Sequence, residues 1–240
     1  MNSKPLTLLS LDTATTGCSV TVWRDGEVLA HDAREMSRGQ SEALLPMAVA
    51  ALTSAGLVAA DLSAIAVTRG PGAFTGMRIG LAAARGLALA LSIPCIGVTT
   101  LVAVAYGVQA DERSAHEGAN LTILAAVESK RADIYVQLFD GDLVPLGEPL
   151  AADGPAMAAL LNKGGRVLAV GDAALRAKDM LAEHDVVVHL SVAPSLPDTR
   201  IVAEIAARRF ASQADTLAPE PLYLRPPDAK LPKNAGRARA

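Results

Sequence analysis

Residues 69 to 100 read RGPGAFTGMRIGLAAARGLALALSIPCIGVTT, and this stretch restricts the fold more than any other. A Gly-Pro-Gly turn leads into an alanine- and glycine-rich helix, expected from Gly76 to Leu91, which ends before Pro94 and a short β-rich segment. Gly76, Gly80, Ala84 and Ala88 recur every four residues, so one ridge of this helix is nearly bare backbone. Glycine inside a helix costs up to about 1 kcal/mol against alanine, so two of them ask for a compensating close contact. Two readings stand open. A glycine loop feeding a helix N-terminus can cradle a phosphate, or the smooth ridge can serve tight packing against a sheet or a second helix. The spacing fits neither GxGxxG nor GxxxxGK[ST], which favours packing.

The rest of the chain reads as an α/β protein written twice. Leu6 to Asp12, Cys18 to Trp23 and Val28 to Ala33 are expected strands, the last two joined by an Asp25-Gly26 hairpin turn. A helix from Gln40 to Ala55 follows, with Ser41 as its N-cap, Gly56 as its stop and Pro46 in conflict with its first turns. Strands at Leu62 to Val67 and Cys95 to Val98 flank the glycine-rich helix, and Leu101 to Val108 is a short helix. Residues 111–120 (DERSAHEGAN) read as a polar linker.

Then the pattern restarts, with strands at Leu121 to Val127 and Ile134 to Phe139, an Asp140-Gly141 turn and a strand over Leu143 to Leu150. Asp12 and Glu128 each close the first strand of a half, with a DG turn following at similar distance, the trace of an internal repeat. The second half continues with a helix (Pro155 to Asn162), a strand (Val167 to Val170), a helix (Leu175 to His184) and a strand (Val186 to Leu190). A final helix over Asp198 to Ser212 is capped by Asp198 or Thr199. The expected division is a lobe over 1–110, a second lobe over 111–218 whose last helix could pack back on the first, and a proline-rich basic tail over 219–240.

Composition removes several function classes. Net charge is −3 and aromatic residues are 3% of the chain, so there is neither the basic surface nor the stacking material of a free-standing nucleic-acid binder. Cys18 and Cys95 have no disulfide or metal spacing and read as core residues. The start, MNSKPLTLLSLD, lacks a signal-peptide profile, and the apolar run from Gly86 to Val98 is too short for a bilayer, so the cytoplasm is the expected compartment. His31, His116, His184 and His189 are scattered, and neither GxSxG nor HExxH occurs. No catalytic residue and no metal ligand is assigned. Asp12, opening the loop Asp12-Thr-Ala-Thr-Thr-Gly17, is the candidate nucleotide-site residue, against the plainer reading of an Asx turn. The equivalent second loop, Glu128 to Asp133, has no glycine; its Lys130 and Arg131 could bind an anion, but a solvated basic turn is the favoured reading.

Four segments, LDTAT at 11–15, SEALLP at 41–46, RGPGAFTGMRIGLAAARGLA at 69–88 and PLYLRPPDAKLP at 221–232, carry a resemblance in the same order along the chain. They resemble the TsaB (YeaZ) family of bacterial tRNA threonylcarbamoyladenosine biosynthesis proteins over essentially its whole length. The resemblance implies a two-lobe actin-like or hexokinase-like ATPase fold, with duplicated mixed sheets flanked by helices. It implies a non-catalytic partner of a TsaD-like threonylcarbamoyltransferase, working with a TsaE-like ATPase subunit on the adenosine beside the anticodon of ANN-decoding tRNAs. No cofactor is intrinsic on this reading, ATP or ADP belongs at the complex interface, tRNA is met mainly through the complex, and a homodimer forms when the partner is absent. The related catalytic subunit places two metal-binding histidines four apart on a helix, where this chain has Gln40 and Leu44. The helices over 41–55 and 76–91 would form the association surface, through Leu44, Met47, Ala48, Ala51, Phe74, Arg78, Ala82 and Arg85. The alternative is an autonomous ATP-dependent kinase or ATPase of the same fold.

Overall fold

The computed structural model describes residues 5–115, 121–161, 166–212 and 219–225. Strands β1 (Thr7–Asp12), β2 (Gly17–Arg24) and β3 (Glu27–Glu35) form an antiparallel meander, followed by helix α1 (Gln40–Ser54). Strand β4 (Ala64–Thr68), helix α2 (Phe74–Leu91) and strand β5 (Cys95–Val98) return parallel to β1, giving the sheet order β3-β2-β1-β4-β5. Helices α3 (Thr100–Ala105) and α4 (Ala110–Ala115) lead to β6 (Thr122–Val127), β7 (Ile134–Phe139) and β8 (Leu150–Ala152). Then come α5 (Gly154–Leu160), β9 (Arg166–Val170), α6 (Ala174–Leu181), β10 (Val187–Leu190) and α7 (Thr199–Ala211). The second sheet runs β10-β9-β6-β7-β8, with β6, β9 and β10 parallel and β6, β7 and β8 antiparallel. Taken from its other edge, it is the first sheet over again. The duplicated mixed sheet flanked by helices is the two-lobe, actin-like plan.

Parallel strands buried on both faces need apolar residues throughout, and β1 and β4 are buried along their whole length. On one face of the first sheet, α1 and α2 close a core of Leu9, Leu11, Val20, Val22, Leu44, Met47, Val67 and Leu81. On the other, Val202, Ala203, Ile205 and Ala206 of α7 cover Leu8, Trp23, Ala66 and Ile96. Helix α3 turns the other way, packing Leu101, Val104 and Ala105 against Ile123, Phe139 and Leu168 of the second sheet. Each half of the sequence therefore lends a helix to the other half's sheet, and α3 and α7 lie together between the two sheets. The start of α7 is pinned in that layer: the Ser10 hydroxyl donates to the Thr199 carbonyl at 2.6 Å, and the Thr21 and Thr199 hydroxyls are 2.8 Å apart.

Several sequence expectations need adjustment. The N-cap of α1 is Gly39, at φ 90°, and Ser41 lies inside the helix. Pro46 is accommodated because it sits on the exposed side, where the unpaired carbonyl one turn earlier faces water. Residues 143–149 are not a continuous strand; Leu143 turns at φ 65°, a single bridge joins Pro145 to Phe139, and ladder pairing resumes at β8. The segment read as a linker begins with α4, whose Glu112 accepts from the Ser191 hydroxyl and the Val192 amide, both at 2.9 Å; residues 116–120 lie outside the described residues. Helix α2 is long and apolar enough to cross a membrane by length and composition, yet Gly76, Met77, Gly80, Leu81, Ala84 and Ala88 are buried against its own lobe.

Candidate functional site

The glycine ridge meets the loop that follows β1. A Cβ on Gly72 would stand 2.1 Å from the Ala14 carbonyl oxygen, and one on Gly76 would stand 2.1 Å from that of Thr13. The Ala73 amide donates to the Ala14 carbonyl at 2.7 Å, and the Thr13 hydroxyl donates to the Gly76 carbonyl at 2.7 Å. Of the two readings of these glycines, close packing is the one realised at residues 13–14: the backbone of α2 occupies the space directly over the loop.

Asp12 lies beneath this lid, 1% exposed. Its carboxylate accepts from the Thr68 hydroxyl at 2.5 Å and the Ala14 amide at 3.1 Å, the second being an Asx turn. Burial raises its pKa to about 6, opposed by those two hydrogen bonds and helped slightly by the charge of Asp172. The folded value lies above the unfolded one, near 3.8, so the unfolded chain loses its proton first as pH rises. Stability is fully present below about pH 4 and falls through the window up to about 6, by at most about 3 kcal/mol. Asp12→Asn keeps the acceptor and removes the charge. It is expected to raise the urea midpoint at pH 7.5 while leaving that at pH 4 nearly unchanged; parallel pH profiles for the two proteins would refute this.

In the second lobe, the loop after β6 is closed by side chains. Arg176 pairs with Glu128 at 2.8 Å and donates to the carbonyls of Arg131 and Ala132. The Ser129 hydroxyl folds back onto the Asp133 carbonyl at 2.5 Å. Between the two loops lies a cleft of about 1190 Å³. One wall comes from residues 37–41 and the start of α2, the facing wall from residues 128–131 and Tyr135.

A segment that sequence reasoning assigned to a loose tail forms the third wall. Leu222 donates its amide to the Arg69 carbonyl at 2.7 Å, Tyr223 accepts from Arg78 Nε at 2.9 Å and packs its ring on Phe74, and Arg225 pairs with Asp133. Residues 219–225 therefore strap the first lobe to the second. The signal was the Tyr-Leu-Arg run inside PLYLRP, an aromatic and a cation unlike a solubilising tail. The basic residues Lys230, Lys233, Arg237 and Arg239 lie outside the described residues.

The expected association surface divides. Leu44, Met47, Ala48 and Ala51 are 1–5% exposed and belong to the first lobe's own core, so they cannot contact a partner in this fold. Phe74, Arg78, Ala82 and Arg85 are exposed on α2. The apolar residues that α1 does present are Leu45 and Val49, 45% and 64% exposed, and α2 adds Leu89 at 82%. The Arg78 guanidinium lies 3.7 Å over the Phe74 ring, which orders both side chains at the cleft end of this face.

Gln40 and Leu44 have no part in metal chemistry: Gln40 Nε2 donates to the Met36 carbonyl at 2.9 Å, and Leu44 is core. Among the described residues, no three His, Cys, Asp or Glu side chains cluster as metal ligands would. His31 is used by the Thr21 hydroxyl at 2.8 Å, and His116 is outside the described residues. Burial pushes the thiols of Cys18 and Cys95 up to about 11, which suits core packing and opposes nucleophilic use.

Residues 33–160, just over half the chain, match the family model for TsaD, tRNA N6-adenosine threonylcarbamoyltransferase. The tRNA threonylcarbamoyladenosine biosynthesis protein TsaB of Escherichia coli (strain K12) is 40% identical over 128 residues, 53% of this chain and 52% of that protein. The match thus spans about half the length of this curated relative. An uncharacterized protein of Mycobacterium bovis is 34% identical over 229 residues, 93% of this chain and 94% of its own. The solved structure of YeaZ from Pseudomonas aeruginosa superposes with a TM-score of 0.73 at 27% identity, covering 91% of this chain and all of the other. With the doubled sheet, the glycine-ridged α2 and these relatives in hand, the chain belongs to the TsaB/YeaZ family, which shares the TsaD-type domain.

Proposed function

We propose that this chain is the non-catalytic subunit of a complex that forms threonylcarbamoyladenosine on tRNA. It would serve a TsaD-like catalytic subunit that transfers the threonylcarbamoyl group to the adenosine beside the anticodon of ANN-decoding tRNAs, together with a TsaE-like ATPase. The observation that carries the reading is the pairing of a sealed candidate nucleotide-site residue with exposed apolar side chains on two helices. Asp12 is covered by α2, while Leu45, Val49, Phe74, Ala82 and Leu89 stand exposed on two helices that adjoin each other. Exposed large apolar residues gathered on neighbouring elements mark association surfaces. Because the partner's related domain would offer an equivalent pair of helices, one face serves either a heterodimer or, without the partner, a homodimer. ATP or ADP belongs to the complex interface and tRNA chiefly to the partner, in keeping with a chain of net charge −3. The cytoplasm, where tRNA is modified, is the compartment of this reading.

The kinase-like alternative loses its footing on the same geometry, since a phosphate cannot reach Asp12 past residues 13–14 and α2. Reconstitution decides between them. Modified adenosine is expected when this chain, the catalytic subunit, the ATPase, threonylcarbamoyl-adenylate and tRNA are combined, and to vanish when this chain is omitted or supplied alone. ATP turnover by the pure chain, abolished by Asp12→Ala, would reject the subunit reading.

A further inference from the structure

Aromatic residues are 3% of this chain, and Trp23, Tyr106, Tyr135, Phe139 and Phe210 are buried or half-buried. Phe74 and Tyr223 are the exceptions, 57% and 46% exposed, and their ring centroids stand 5.9 Å apart. One comes from the start of α2, the other from the strap near the end of the chain. The Arg78 guanidinium joins them, 3.7 Å over the Phe74 ring and 5.8 Å from that of Tyr223. Its Nε donates to the Tyr223 hydroxyl at 2.9 Å, and its terminal nitrogens have no acceptor among the described residues.

This cluster continues the outward face of α2. Ala82, Arg85 and Leu89 follow Phe74 and Arg78 along the helix at spacings of three and four, all of them exposed, and the helix carries no acidic residue. Tyrosine and arginine are the residue types that dominate the energetics of protein–protein contacts. The strap is fixed on both sides of this cluster. Leu222 donates its amide to the Arg69 carbonyl at 2.7 Å in the first lobe. Arg225 pairs with Asp133, donates to the Ser129 hydroxyl at 3.4 Å and lies 5.5 Å over the Tyr135 ring, all in the second lobe. The two residues from Tyr223 to Arg225 span at most about 7 Å of chain. Little slack is left between the anchors, so a shift of the second lobe pulls on Tyr223.

We propose that Tyr223 extends the association face beyond α1 and α2, and that Arg225 is a positioning residue which makes this extension depend on the second lobe. The partner surface that fits is an apolar patch for the Phe74 and Tyr223 rings beside a carboxylate for the terminal nitrogens of Arg78. The occupant is the catalytic subunit, so this inference rests on the subunit reading. Continuity with the exposed face of α2 argues for that occupant, because one partner surface covers both. The partner binds the strapped arrangement of the lobes best, since only that arrangement seats Tyr223 on Phe74. Arg225 acts through Tyr223, from the strap's second-lobe end.

Isothermal titration of the full chain with the catalytic subunit tests it. Tyr223→Ala is expected to weaken binding at least about tenfold. Arg225→Gln is expected to weaken it about fivefold, and Asp133→Asn to reproduce that loss. In the Tyr223→Ala background, Arg225→Gln should cost nothing further, since a positioning residue has no effect once the residue it positions is gone. Should Tyr223→Ala not fold, Tyr223→Phe decides: it keeps the ring and loses only the hydrogen bond that orients Arg78, and unchanged binding then overturns the proposal. Equal affinity of wild type and Tyr223→Ala, or losses that add in full, overturns the proposal and leaves the subunit reading intact. A wild-type chain that does not bind the catalytic subunit overturns both.

Discussion

Gly76→Ala is expected to destabilise this protein severely, although alanine is the better helix former. The added Cβ would stand 2.1 Å from the Thr13 carbonyl oxygen, a backbone atom in a loop that is buried and hydrogen-bonded to α2. A flexible side chain could swing away, whereas a fixed carbonyl forces the helix off the sheet. Overpacking of this kind costs about 1–3 kcal/mol and sometimes more, against a propensity gain of about 1 kcal/mol. We expect the upper end, a net loss of roughly 2 kcal/mol, because the contact lies far inside van der Waals distance. Gly86 is the control: on the same helix, it is exposed, and a Cβ added there would meet nothing within 4 Å. Gly86→Ala should therefore stabilise by about 0.5–1 kcal/mol. Urea unfolding of the three proteins measures both effects, and a Gly76→Ala midpoint equal to wild type would remove the close-packing account of the ridge.

The second large effect concerns association. Val49 and Ala82 are exposed on α1 and α2, so Val49→Glu with Ala82→Glu should leave the thermal midpoint within a degree or two of wild type. In the complex, both carboxylates would lose water against the partner face; the one at 49 lies on a helix with no cation, whereas the one at 82 has Arg78 and Arg85 beside it, so position 49 carries most of the effect. Binding to the catalytic subunit is expected to weaken at least about 100-fold, roughly 2.7 kcal/mol, with loss of modified adenosine in the reconstituted reaction. Met47→Glu provides the contrast. Met47 is 2% exposed inside the first lobe's core, so this variant should fail to fold rather than fail to bind. A folded double variant that assembles at wild-type affinity would place the interface elsewhere.

Met47 and Val49 fall on opposite sides of α1, and the sequence of that helix does not say which side is which. Leu44, Leu45, Met47, Ala48, Val49, Ala51 and Leu52 are apolar over more than half its circumference. Periodicity identifies a buried face only where the opposite face is polar. The sheet selects Leu44, Met47, Ala48 and Ala51 because β2 and β3 approach from that direction. On α2 the choice was more legible: the glycines and small alanines mark the side of closest approach, leaving Phe74, Arg78, Ala82 and Arg85 outward.

Local chemistry in the chain was enough for the repeat, the two DG turns, the glycine ridge and the absence of a glycine from the second loop, because turns and close contacts demand particular residues. It was also enough for the family, whose motifs are local. Three features were decided only by the tertiary structure. The exchange of α3 and α7 between the halves depends on which sheet faces lie toward each other, a relation between residues far apart in sequence. The sealing of Asp12 depends on α2 settling onto residues 13–14, which the same glycines would equally have permitted as an open phosphate loop. The strap of Leu222 to Arg225 draws its order from Arg69, Phe74, Arg78 and Asp133, contacts that exist only after both lobes have folded. Short-range preferences are written residue by residue; the partners of a surface are supplied by the fold.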